Sequence, residues 1–161
     1  MARPRLLQPR SQQDWAHARE LLEQYAASLN LDLSFQNFAH ELQQLDREYA
    51  PPSGAFLLAE DFVGENRMYV GCVGLRRFSA GVGEIKRLYT VPAARGRGVG
   101  RLLAEGIIAA AKELAYARLL LDTLPGMGAA QSLYASLGFK PTAAYRFNPV
   151  PGTAFLELML G

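Results

Sequence analysis

The stretch VPAARGRGVGRLLAEGI, Val91–Ile107, concentrates glycine and arginine at the start of an apolar repeat of helical spacing. Glycine at this density allows another group to approach the backbone closely. The first N–H groups of a helix lack partners within it and lie at the positive end of its dipole, so they attract anions. The stretch therefore predicts a helix whose first turn holds an anionic group.

Two well-known phosphate loops fit this stretch poorly. A Walker loop requires Gly-Lys followed by Ser or Thr, and the chain contains no Gly-Lys pair. A dinucleotide fingerprint requires G-x-G-x-x-G, for which Gly96 and Gly98 supply two positions while Arg101 occupies the third. Asp122 follows at a suitable distance for a ribose-binding acid, so a dinucleotide-binding oxidoreductase with a parallel sheet remains as the weaker alternative.

A third pattern, R-x-x-G-x-G, is filled by Arg95, Gly98 and Gly100. Its glycines let consecutive backbone N–H groups point into one concavity at the helix start. That geometry suits a pyrophosphate held mainly by the main chain.

The order of elements around the loop predicts an α/β chain, one domain over residues 1–161, with a mixed sheet and helices on its faces. Apolar spacing predicts four helices, which begin at Ser11, span Phe35–Leu45, follow Gly98 and span Ala129–Leu137. Residues that favour β structure predict strands at Ala55–Glu60, Met68–Phe78, Glu84–Val91, Leu119–Leu121, Ala143–Phe147 and Ala154–Leu160.

The composition is that of an ordinary globular protein. The 161 residues carry a net charge of +2, which implies no broad basic surface for nucleic acid. Cys72 is the single cysteine and lies in an apolar run, so we expect an inert buried thiol in a reducing compartment. The sequence has no signal-peptide pattern, no membrane-spanning apolar run and no metal-ligand spacing, and we expect a cytoplasmic protein without a bound metal.

Two flanking segments make the loop more specific. GEIKRLYTVP runs directly into it, and AAQSLYASLGF follows one helix and one strand later. From Gly54 to Phe139 this succession resembles the GNAT superfamily of acetyl-CoA-dependent N-acetyltransferases. The resemblance implies a mostly antiparallel twisted sheet of six to seven strands flanked by about four helices, and acetyl-CoA as the cosubstrate.

The resemblance also implies which residues bind the cosubstrate. The strand before the loop would bulge near its end and offer backbone groups to the pantetheine arm, and the loop would hold the pyrophosphate. The cofactor-binding residues it implies are Leu88, Tyr89, Thr90, Arg95, Gly96, Arg97, Gly98, Val99, Gly100 and Arg101. Met127 stands where many family members carry a pantetheine-binding Asn, so that side-chain contact is not expected.

Two catalytic residues follow from the same resemblance. Tyr134, in LYASLGF, matches the tyrosine that protonates the coenzyme A thiolate, and an unperturbed phenol is protonated at neutral pH. Glu84 begins the strand before the loop, where the family often carries a general base. A base is needed because an alkylammonium has no lone pair with which to attack.

The acceptor is less well defined by the sequence. We expect a primary amine on a small molecule, no nucleic-acid or membrane partner, and a homodimer is compatible with the sequence. Aromatic residues that could line a pocket are Phe35, Phe38 and Tyr49, and cations that could hold an acidic group are Arg76, Arg77, Lys86, Arg87 and Arg146. A coenzyme A-binding module without catalytic activity is the second alternative to an enzyme.

Overall fold

Helices pack on both faces of a central sheet in the computed structural model, which describes residues 3–29 and 37–161. The first helix begins as predicted, because the Ser11 hydroxyl accepts a hydrogen bond from the Asp14 N–H at 3.0 Å and caps it. The five helices of the described ranges are α1 Gln12–Leu29, α2 Phe38–Gln43, α3 Leu45–Glu48, α4 Val99–Glu113 and α5 Gly128–Ser136.

A seven-stranded sheet forms the centre, with the strand order β1-β2-β3-β4-β5-β7-β6. The strands are β1 Arg5–Leu7, β2 Ala55–Val63, β3 Asn66–Ser79, β4 Val82–Thr90, β5 Arg118–Thr123, β6 Lys140–Pro141 and β7 Ala154–Met159. All neighbours are antiparallel except β4 and β5, which are parallel because α4 crosses between them. The predicted mixed, mostly antiparallel sheet is confirmed. The parallel sheet that a dinucleotide-binding oxidoreductase requires is absent from the described residues, which excludes that alternative.

Two predicted elements were wrong. The strand predicted at Ala143–Phe147 does not form, and β6 lies earlier, at Lys140–Pro141. The Tyr145 and Arg146 side chains instead reach Glu84, which draws this segment away from the sheet edge. The helix predicted over Phe35–Leu45 is divided into α2 and α3, because Gln44 leaves the helical conformation with φ −134°. The start of that prediction, including Phe35, lies outside the described residues.

The sheet has a hydrophobic layer on each face. On one face α4 packs Leu103 and Ile107 against the sheet. On the other face Leu22 of α1 and Tyr49, which follows α3, pack against Leu58 of β2. A Leu or Ile side chain buried in this way contributes about 1.5–3 kcal/mol, so both layers fix the sheet between the helices.

The parallel strands β4 and β5 separate before they end. They pair only over Val82–Glu84 and Arg118–Leu120, after which β4 pairs with β3 alone and β5 with β7 alone. β4 contains a bulge near the point of separation. Its pairing with β3 shifts there by one residue, between the pairs Gly74–Lys86 and Cys72–Tyr89. Arg87 takes a left-handed conformation there, with φ 65°. The bulge lies one residue before the predicted Leu88–Thr90, and the sheet divides where the sequence predicted a slot.

Candidate active site

The glycine loop presents backbone rather than side chains at the start of α4. Gly98 is the N-cap residue, with φ 80° and no side-chain cap, and Gly96 also has φ 80°. The first helical bond runs from the Leu102 N–H to the Gly98 carbonyl, so the preceding amides of the first turn have no partner within the helix. A Cβ built on either glycine meets no heavy atom within 4 Å. The loop thus offers unpartnered N–H groups to open space, which fits a pyrophosphate.

The side chains of two loop arginines, Arg97 and Arg101, bind protein groups other than the residues predicted to bind the cosubstrate. The Arg97 guanidinium donates to the Phe62 carbonyl at 2.8 Å and lies 3.4 Å from the Asp61 carboxylate. Arg101 donates to the Ser136 hydroxyl at 2.6 Å and pairs with Glu105 at 3.4 Å. Their predicted role in cofactor binding therefore depends on their backbone N–H groups.

A cleft of about 540 Å³ runs from the loop along the separated strands. Most of the residues predicted to bind the cosubstrate line this cleft on one side, and the first residues of α5 line it on the other. Its lining includes Leu88, Tyr89, Thr90, Arg95, Gly96, Gly98, Val99, Gly100, Gly126, Met127, Gly128, Ala129, Ala130 and Leu133. The loop, the end of β4 and the position of Met127 thus line one elongated cleft, which is the candidate site for the cosubstrate.

A smaller cavity of about 40 Å³ lies at the inner end of this cleft, between β4 and β5. Leu88, Met127 and Ala130 line both spaces, so the cavity and the cleft share a wall. The cavity lining also contains Lys86 and Tyr134. We refer to it as the inner cavity.

Tyr134 is only 5% exposed and its ring packs edge-on against Phe139, with ring centroids 5.4 Å apart. Burial raises the pKa of the Tyr134 phenol well above its ordinary value, since the phenolate is poorly solvated there. The hydroxyl is therefore protonated across the physiological pH range. A protonated hydroxyl at the inner cavity is the arrangement that a general acid requires.

Glu84 is buried and held by several partners. Its Oε1 lies 2.6 Å from Arg146 Nη2 and 3.5 Å from Arg76 Nε, and its Oε2 accepts a hydrogen bond from the Tyr145 hydroxyl at 3.1 Å. Among the described residues, those that line the inner cavity include a different carboxylate, Asp122. Glu84 thus lies in an ion-pair cluster beside the site, and its role as the base stays a prediction.

The inner cavity brings Lys86, one of the five cations that the sequence offered for the acceptor, together with groups that the sequence did not offer for this role. Asp122 lines it from the end of β5 and accepts a hydrogen bond from Asn148 at 3.2 Å. Lys86 projects from β4 and is 5% exposed. Burial, partly offset by Glu84, lowers the pKa of the Lys86 ammonium to about 8. Tyr25 of α1 completes one side, although its spacing in the sequence indicated only a core position.

A buried ion pair fixes the bulge of β4 to α2. Arg87 donates to both carboxylate oxygens of Glu41 at 2.9 Å, and the Tyr49 hydroxyl donates to Glu41 at 2.8 Å. The Phe38 ring lies 5.0 Å from the Arg87 guanidinium carbon. Burial is the largest single effect and favours the neutral acid, but the hydrogen bonds and charge of Arg87, the hydrogen bond from Tyr49 and the charge of Lys86 together outweigh it and bring the pKa of Glu41 below its ordinary value. Phe38 and Tyr49 therefore support this pair.

Cys72 is fully buried, and burial raises the pKa of its thiol, which agrees with a packing role. In the described ranges, no group of three or more His, Cys, Asp or Glu side chains could hold a metal ion. Within residues 3–29 and 37–161, no helix is long and apolar enough to cross a membrane.

Comparison with known proteins agrees with this architecture. The model of the acetyltransferase (GNAT) family matches residues 15–139. An uncharacterised N-acetyltransferase of Schizosaccharomyces pombe is 39% identical over 147 residues, which cover 91% of this chain and 88% of that protein.

Solved structures share the fold. A GNAT-family acetyltransferase of Staphylococcus aureus superposes with a TM-score of 0.78 at 19% identity, over 98% of this chain and 99% of that one. YncA of Salmonella typhimurium, whose structure contains acetyl-CoA, gives a TM-score of 0.70 at 19% identity, over 99% and 95% of the two chains.

The chain belongs to the GNAT family of acetyltransferases. The predicted family and enzyme class are confirmed. The predicted cosubstrate, acetyl-CoA, is confirmed as well, because members of the family take the acetyl group from it. The cleft fits this molecule, since an anion site at the helix start is joined to a buried polar cavity by the slot between the strands.

Proposed function

We propose that this acetyltransferase transfers the acetyl group of acetyl-CoA to a primary amine of a small molecule, by direct attack in a ternary complex. The observation that carries the proposal is the position of Tyr134 at the inner cavity, where the cleft ends between the separated strands. Acetyl-CoA supplies the activated acetyl group.

Each part of the site has a separate task. The backbone of Gly96 through Arg101 binds the pyrophosphate, and the backbone of Leu88, Tyr89 and Thr90 lines the slot for the pantetheine arm. The Tyr134 hydroxyl gives its proton to the departing thiolate. A carboxylate takes the proton of the attacking amine, and Glu84 is the residue predicted for this step.

The dimensions of the inner cavity favour a small acceptor. Its volume of about 40 Å³ is a few times the roughly 10–15 Å³ that one water molecule requires. Tyr25, Asn148 and Asp122 come from three separate elements and enclose it. A compact functional group fits such a space better than an extended polymer does.

The test compares binding and turnover. A thermal-shift series with acetyl-CoA, coenzyme A and NADPH, followed by thiol release across a panel of amines, separates the enzyme from its alternatives. We expect stabilisation by acetyl-CoA and coenzyme A, and amine-dependent thiol release. Stabilisation without thiol release from any amine would instead support a coenzyme A-binding module.

A further inference from the structure

Three buried side-chain polar atoms have no hydrogen-bond partner in the described part of the chain: Lys86 Nζ, Thr123 Oγ1 and Arg146 Nε. Two of these residues, Lys86 and Thr123, line the inner cavity. A buried polar group without a partner is unfavourable, and folded proteins rarely leave one unless a ligand or water completes it. A water molecule or a polar ligand in the inner cavity would supply the partner that these two side chains lack.

The cations that the sequence offered for an acidic group are not equivalent in the structure. Arg77 is exposed, whereas Arg76, Arg87 and Arg146 bind protein carboxylates. Lys86 is buried, lines the cavity, and its ammonium has no hydrogen-bond partner among the described residues. Arg87 also lines the cavity, but Glu41 holds its guanidinium, so Lys86 is the cation of the five that we assign to ligand binding there.

We propose that the acetyl acceptor carries a carboxylate, which the Lys86 ammonium binds in the inner cavity together with the Thr123 hydroxyl. This inference rests on the acetyl transfer proposed above. An ammonium has only donors and a hydroxyl can donate as well, so the matching group accepts hydrogen bonds and bears negative charge. A carboxylate provides one negative charge and two acceptor oxygens. Asp122 on the same cavity disfavours a more highly charged anion such as a phosphate.

Asp122 adds a second element of complementarity. Its carboxylate lines the cavity and is held by Asn148. A carboxylate there attracts the ammonium form of an acceptor amine. The cavity thus has a cationic group and an anionic group, which together match a small amino carboxylate such as an amino acid.

The test uses matched acids and amides. Common α-, β- and ω-amino acids and their carboxamides are compared as acceptors at saturating acetyl-CoA, and as ligands of the coenzyme A-loaded protein by calorimetry. We expect the wild-type protein to prefer the acid by about 10- to 100-fold, in binding and in kcat/KM. Lys86→Met should reduce the preference to within about threefold and leave acetyl-CoA affinity unchanged.

A control and a second readout keep the result specific. Lys112→Met makes the same chemical change at an exposed position on α4 and should retain the preference. In a carbon NMR titration of the lysine Cε signals, a bound amino acid should raise the pKa of Lys86 from about 8, whereas its carboxamide should not. Acids that bind no better than amides, or a Lys86→Met protein that keeps the preference, would overturn the inference. Acids that bind through Lys86 without thiol release would overturn the proposed transfer alone.

Discussion

The Arg87 guanidinium and the Glu41 carboxylate form a bidentate pair with both contacts at 2.9 Å, and both residues are at least 95% buried. Arg87 is also the residue of β4 with a positive φ, at the bulge that opens the sheet. The pair therefore connects α2 directly to the backbone feature that forms the slot for the cosubstrate.

Removing Glu41 should destabilise the protein strongly. Glu41→Ala leaves the Arg87 charge buried without its bidentate partner, which costs about 3–5 kcal/mol of free energy of unfolding. Urea denaturation measures the loss. Glu105→Ala removes an exposed pair with Arg101 and should cost less than about 1 kcal/mol. Equal losses for the two variants would mean that the buried pair has no special role.

Tyr134→Phe should reduce turnover and not cosubstrate binding. The substitution keeps the ring packed on Phe139 but removes the proton donor, so we expect kcat to fall about 100-fold or more while KM for acetyl-CoA changes less than about threefold. Tyr116→Phe is the matched control, because its hydroxyl donates to the Ser53 carbonyl away from both cavities. Equal losses in kcat and in acetyl-CoA affinity would assign Tyr134 to binding.

Gly98→Ala should weaken acetyl-CoA binding beyond its effect on folding. A left-handed conformation costs an alanine about 1–2 kcal/mol, and the added methyl enters the open space over the loop. Gly64→Ala introduces the same strain in the β2–β3 turn, where φ is 64° and a Cβ also meets no atom. Calorimetry should show at least a tenfold higher Kd for Gly98→Ala only. A Kd unchanged in Gly98→Ala would remove the loop from the binding site.

The titration of Lys86 should contribute a rise of stability with pH, measured as the difference between the wild-type and Lys86→Met proteins, because the raised pKa of the buried Cys72 thiol acts in the opposite direction in both. Its pKa is about 8 in the folded protein and about 10.5 when unfolded, so the unfolded chain holds more protons between these values. The free energy of unfolding therefore increases by up to about 1.4 kcal/mol per pH unit from pH 8 to 9.5, because of this group. The charged neighbours that act on it are Glu84, Arg76, Arg87 and Arg146. Lys86→Met should lose this slope and Lys112→Met should keep it, which urea denaturation at several pH values would establish.

The general base is decided by two isosteric variants. If Glu84 takes the proton, Glu84→Gln should lower kcat/KM about 100-fold or more, because the amide cannot accept that proton. Asp122→Asn should then have a smaller effect, mainly on KM for the acceptor. The opposite ranking would transfer the role to Asp122, which lines the inner cavity. Measuring unfolding in parallel separates either effect from the loss of the Glu84 ion pairs.

The conformation of the glycine loop could be predicted from the sequence because its parts are local. The loop from Arg95 to Gly100 needs glycine at positive φ and a helix start directly after it, and both are encoded within six residues. Tyr134 was predicted from the resemblance of the short segment LYASLGF to the family, and its catalytic role stays a prediction.

The set of side chains that line the inner cavity could not be predicted because they come from distant segments. Lys86, Asp122 and Asn148 come from β4, β5 and the loop before β7, and they meet only when the sheet divides. Tyr25 is one of the apolar residues that repeat at helical spacing in α1, and this pattern indicates a core position rather than a cavity. A list of cations in the sequence could not indicate which one would be buried without a partner, since that depends on tertiary contacts. Distant contacts also explain why the strand predicted at Ala143–Phe147 was wrong. Tyr145 and Arg146 bind Glu84 instead of continuing a strand, although the segment is locally strand-like.

The seam between β4 and β5 joins the two parts of the sheet through only three residue pairs, Val82–Arg118, Gly83–Leu119 and Glu84–Leu120. Beyond it, the facing edges of β4 and β5 have main-chain groups that do not pair with each other. In the proposed binding mode the pantetheine arm, which resembles a peptide in its amides, would bridge the two parts of the sheet as an added strand would. Binding and stiffening of the sheet become a single equilibrium, and amide hydrogen exchange in β4 and β5 should slow together when the cosubstrate binds.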